Sequence, residues 1–122
     1  MSEIQRGKDD FSRFKEGLAL QRERFKAAKD GTGVNNFDQM ADSIENLKSD
    51  LKSKIRKEGN IKLLSRVEAI INWYRTKEER HYVNTPEGPV IRFPMGMQNK
   101  INHNLNIAYE LLVDQMDLLN LL

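Results

Sequence analysis

The chain has 122 residues, 39% of them apolar and 31% charged, and its 20 basic and 18 acidic side chains leave a net charge of +2. One domain with a modest core is expected at this length, and the balanced charge does not by itself imply a polyanionic partner. The absence of cysteine excludes disulfides and thiolate metal sites.

The start, Met1–Arg6, lacks the apolar run of a secretory leader, and no stretch of about 18 apolar residues predicts a membrane span. A cytoplasmic-type location is the default expectation. Residues 1–8 show no hydrophobic period and are expected to be a flexible tail, with residues 9–122 forming a single helical domain.

Asp9 or Asp10 can cap a first helix over about residues 9–29, in which Phe11, Phe14, Leu18, Gln21, Phe25 and Ala28 recur at helical spacing. Gly17 sits mid-helix at a cost of up to ~1 kcal/mol. The glycines of Asp30-Gly31-Thr32-Gly33 then break the chain. Asn36 and Gln39 resemble a capping box opening a second helix, about 36–58. Its apolar positions, Phe37, Met40, Ile44, Leu47, Leu51 and Ile55, form a narrow, nearly heptad stripe that suits a helical hairpin or coiled-coil seam. Gly59 reads as the helix terminator and Asn60 as the cap of a third helix, about 61–80. There Ile61, Leu64, Val67, Ile71 and Tyr74 make one stripe, and Leu63, Ile70 and Trp73 widen it.

Residues 81–97 form an irregular or β-hairpin-like arm: His81-Tyr82-Val83 and Val90-Ile91-Arg92-Phe93 flank a turn containing Pro86 and Gly88. A last helix, about 98–121, carries Ile101, Leu105, Ala108, Leu112, Met116 and Leu119 as its main seam. Ile107, Leu111, Val113, Leu118, Leu121 and Leu122 lie outside that seam. The fold expected is therefore all-α, a four-helix bundle-like domain. Helices three and four should be its core pair, and helices one and two a more polar hairpin laid against them.

Chemistry-bearing patterns are sparse. Glu78 and His81 have the Glu-x-x-His spacing of di-iron bundles, but a second such motif is lacking and His103 has no acid three residues before it. No serine lies in a Gly-x-Ser-x-Gly elbow, and Gly31-Thr32-Gly33 lacks the Lys-Ser/Thr of a phosphate loop. The expectation is a non-enzymatic protein with no cofactor and no metal.

Three surfaces are candidates for contact. The first is the leucine-rich end, Leu111, Leu112, Val113, Met116, Leu118, Leu119 and Leu122, which has more apolar surface than one neighbour can cover. Asp114 and Asp117 near that end oppose the helix dipole and would sit better against a basic surface. From Lys52 to Arg80 nine basic residues face only four acidic ones, so such a surface exists in this chain, its twin or a larger partner. Self-association or docking on a larger protein, as an adaptor, is the reading this favours. The second candidate is a nucleic-acid surface of Lys52, Lys54, Lys57, Arg75, Lys77 and Arg80 with Trp73 and Tyr82 for stacking. The third is Arg92 and Phe93 at the end of the arm, as recognition residues or as a packed connector. A membrane-surface role is opposed by the acids of the last helix.

Overall fold

The computed structural model of the chain describes residues 3–30, 36–52, 54, 58–77, 81–86 and 88–121. They form four helices, α1 (Glu3–Asp30), α2 (Asn36–Lys52), α3 (Glu58–Arg75) and α4 (Met95–Leu118), with a hairpin of β1 (His81–Thr85) and β2 (Gly88–Arg92) between α3 and α4. The helices pack against one another, and the expected all-α, bundle-like architecture is observed. No described helix is long and apolar enough to cross a membrane.

The narrow stripe of α2 is the centre of the molecule. Met40, Ala41, Ile44, Leu47 and Leu51 are all buried, and α2 packs against each of the other three helices. This corrects the expectation that α3 and α4 would be the core pair. Ala41 and Ser43, small residues off the heptad stripe, are buried as well, so the buried face of α2 is wider than its large apolar residues show and neighbours pack on it from several sides. From α1, Leu18, Phe25 and Ala28 reach the core; from α3, Val67, Ile71 and Tyr74; from α4, Ile101, Leu105, Ala108, Tyr109, Leu112 and Met116.

Several boundaries differ from expectation. α1 begins at Glu3, so residues 3–8 are helical rather than a tail. Hydrophobic period reports burial, whereas Glu3, Gln5, Arg6 and Lys8 are good helix formers without it. α2 stops at Lys52, one residue beyond the last buried position of its stripe, and the Lys54 N–H donates to the Leu51 carbonyl (2.9 Å) in a tightened final turn. The expected continuation through Ile55 falls outside the described residues. α3 starts at Glu58, which places Gly59 and Asn60 inside its first turn instead of at a terminator and a cap. An acid is a favoured residue type at the positive end of a helix dipole. α3 ends at Arg75, where the Thr76 hydroxyl donates to the Asn72 carbonyl (2.9 Å) and the Lys77 N–H to the Tyr74 carbonyl (3.2 Å).

The arm is an antiparallel hairpin with Tyr82 opposite Ile91 and Thr85 opposite Gly88. Gly88 has φ 116°, a conformation that a side chain would strain. Beyond it, Phe93 packs between Phe37 and Tyr74, with ring centroids 6.1 Å from each, and closes that end of the bundle. The Tyr74 hydroxyl donates to Asp38 Oδ1 (2.5 Å), which ties the end of α3 to the first turn of α2.

α4 opens after Pro94, two to three residues earlier than expected. Its other end is a Schellman turn. Asn120 adopts φ 58°, its N–H donates to the Asp117 carbonyl (3.0 Å), and the Leu121 N–H donates to the Met116 carbonyl (2.8 Å). Asparagine is the non-glycine residue best suited to that left-handed position. The reversal turns Leu121 back into the core, where it is buried.

Candidate interaction surface

Each residue of the leucine-rich end has a distinct place. Leu112 and Met116 are fully buried in the chain's own core, so in this fold they are structural. Leu111, Val113 and Leu119 are half-buried against that core, and Leu118 is 76% exposed. Leu122 lies outside the described residues. Leu111 and Leu118 share the helix face of Ile107, which lies beside α3, whereas Val113 and Leu119 lie off that face.

The Ile107 face meets a matching stripe on α3. Helical geometry turns Val67, Ile71 and Tyr74 inward and sets Glu68 and Arg75 toward α2. Leu63, Ile70 and Trp73 are left partly covered beside α4. Ile70 and Trp73 line a shallow groove with Arg66, Ala69, Asn104 and Ile107. Leu111 continues this face along α4 by one helical turn, and Leu118 by a further two. Leu63, Ile70 and Ile107 were not among the contact residues expected from sequence. Their signal was present as the widening of the α3 stripe and the position of Ile107 off the α4 seam.

Charge divides across the same face. Lys62 and Arg66 are exposed on α3, and Glu110, Asp114 and Asp117 are exposed on α4. None of these five forms an ion pair among the described residues. The last turn of α4 contains no basic residue, so the Asp114 and Asp117 carboxylates face the negative end of their own helix uncompensated.

On the other side of α3 Arg75 is engaged. One Arg75 nitrogen donates to Asp42 Oδ1 (2.7 Å) and to Glu45 Oε2 (2.8 Å) on α2. The Asp42 bond is the main cause that raises the guanidinium above its already high ordinary range, with Glu45 adding to it against partial burial. Lys48 and Glu68 approach to 4.0 Å across the same helix pair.

The expected nucleic-acid surface does not come together. Lys52 and Lys54 are exposed beside the start of α3, whereas Trp73, Lys77 and Tyr82 lie at its far end. The 18 residues of α3 separate the two groups by about 27 Å. Lys77 Nζ lies over the Trp73 ring, 4.2 Å from its centroid, and Lys54 Nζ lies 5.4 Å from the Phe14 centroid. Tyr82 is 66% exposed on the hairpin. Lys57 and Arg80 fall outside the described residues, as does Glu78 of the Glu-x-x-His pair. Of the arm residues, Arg92 is exposed, and Phe93, 4% exposed, is part of the aromatic closure and not a free recognition residue.

Comparison with protein-family models, curated proteins and solved structures finds no match to this chain.

Proposed function

We propose that this chain is a small, non-enzymatic, cytoplasmic protein that works by protein–protein contact, self-associating over the outer face of α3 and α4. The observation that carries this reading is the apolar strip of Ile70, Trp73, Ile107 and Leu111, half-covered by the chain itself and extended by an exposed Leu118. A rim of charges of both signs, without ion pairs among the described residues, borders it. An apolar centre with a polar edge is the common anatomy of a contact surface. Nucleic-acid binding, the alternative reading, draws less support, because its cations stand at two separate ends and Arg75 is already held by two carboxylates.

Trp73 is the only tryptophan and lines this face, so its fluorescence reports on it directly. Emission should shift to the blue as protein concentration rises, and Leu118→Asp should abolish the shift while leaving the helical circular dichroism intact. Emission independent of concentration from micromolar to millimolar would count against the reading.

A further inference from the structure

The charge pattern of the α3–α4 face selects one way for two copies to meet, an inference that rests on the self-association proposed above. Phe93, just before α4, packs on Tyr74 near the end of α3, so the two helices run antiparallel, and the groove sets residues 66–73 of α3 beside Asn104 and Ile107 of α4. Lys62 and Arg66 therefore stand beyond Ile107, level with about residues 109–114 of α4 and within about one helical turn of Asp114. These groups are neighbours in height but sit on different helices, exposed and without ion pairs among the described residues.

A closed pair of identical chains has a two-fold axis, and two orientations of that axis bring these faces together. With the axis across the helices, α3 lies on α3 of the other copy. Among the described residues, Lys62 and Arg66 then confront Lys77, and only Lys100 meets an acid, Asp114. With the axis along the helices, each α3 lies antiparallel over α4 of the other copy. Lys62 and Arg66 then face Asp114 twice over, with Glu110 and Asp117 of the same helix one turn to either side. Among the described residues the one like-charged approach, Lys77 to Lys100, lies at the far end, where Lys77 is drawn onto the Trp73 ring. The second arrangement sets two cations against the acids of α4 and leaves its like-charged approach to a lysine already engaged with a ring, so it is favoured.

We propose that a second copy of this chain is the occupant of the groove, docked with its α4 antiparallel over α3, so that Lys62 and Arg66 of each copy meet Asp114 of the other. The contact then buries Ile70, Trp73, Ile107 and Leu111 at its centre, and the acids at the end of α4 gain cations that no described residue of their own chain supplies.

A charge exchange tests this arrangement. Arg66→Glu and Asp114→Arg each change an exposed side chain, and circular dichroism should confirm that both variants fold. Each variant alone should associate roughly tenfold more weakly than the unmodified chain, because Arg66→Glu sets an acid beside Asp114 and Asp114→Arg sets a base beside Lys62 and Arg66 at both contacts. An equimolar mixture of the two should recover association close to that of the unmodified chain. In the mixed pair the introduced acid of one chain meets the introduced base of the other at one contact, and Arg66 meets Asp114 at the second. A dimer indifferent to both substitutions, or a mixture that associates no better than the separate variants, overturns the arrangement and leaves self-association standing. An unmodified chain that stays monomeric overturns both.

Discussion

Phe25 on α1 and Tyr109 on α4 stack with ring centroids 3.9 Å apart and planes 3° from parallel. Both are buried. α1 packs mainly on α2, and this stack carries it onto α4, so it fastens the first helix across the bundle. Phe25→Ala should lower stability by about 3–5 kcal/mol, from lost transfer free energy, the cavity and the broken ring pair. Urea denaturation followed by far-ultraviolet circular dichroism checks this. A loss under about 1 kcal/mol would mean that α1 does not depend on the stack.

Gly17 offers a gain. It lies inside α1, and a Cβ added there would meet nothing within 4 Å. Gly17→Ala should therefore raise stability by about 0.5–1 kcal/mol, through helix propensity and a less flexible unfolded chain. The same denaturation measurement applies, and a loss of stability would show that the site is closer packed than the structure has it.

Arg75 bridges Asp42 and Glu45, but all three side chains are substantially exposed. Arg75→Ala should thus cost no more than about 1 kcal/mol at low salt and less at high salt, where the pair is screened. Denaturation midpoints at two ionic strengths give the comparison. An effect that grows with salt would contradict an electrostatic origin.

Partial burial raises the Asp50 carboxyl above its ordinary range. A carboxyl raised on folding disfavours its ionised form in the native state, so the charge costs stability above the folded pKa. That cost disappears as pH falls through it. Asp50→Asn should accordingly stabilise the chain slightly at neutral pH. The difference should vanish below the unfolded carboxylate range of about 3.9, where both states are protonated. Stability against pH for the two proteins reads this out, and a benefit that persists at low pH would assign the effect to another cause.

The four helices were legible because their apolar residues recur at helical spacing, and the hairpin because Pro86 and Gly88 separate two β-prone runs. The internal hierarchy was not. Which stripe becomes central depends on how many neighbours can approach it, and the small residues Ala41 and Ser43, buried beside the α2 stripe, lie on a helix that packs on three others. Helix ends differ from the periodic pattern where local chemistry overrides it, at Glu3 by helix propensity without an apolar period and at Glu58 by an acid ahead of a glycine. The reversal at Asn120 could have been read, since an asparagine between leucines after the last periodic position is a Schellman signature. For the contact surface, sequence indicated that α4 had surplus apolar surface. It could not separate Leu112 and Met116, which the core takes up, from Leu111 and Leu118, because that division depends on where α2 and α3 lie.

Sedimentation equilibrium of the unmodified chain and of Leu118→Asp tests the central claim most directly, since Leu118 is 76% exposed and its replacement leaves the core untouched. The unmodified chain should approach twice its 14.2 kDa monomer mass as concentration rises, and Leu118→Asp should remain near 14.2 kDa under the same conditions. An unmodified chain at 14.2 kDa throughout, or a variant that associates equally well, would contradict self-association through the α3–α4 face.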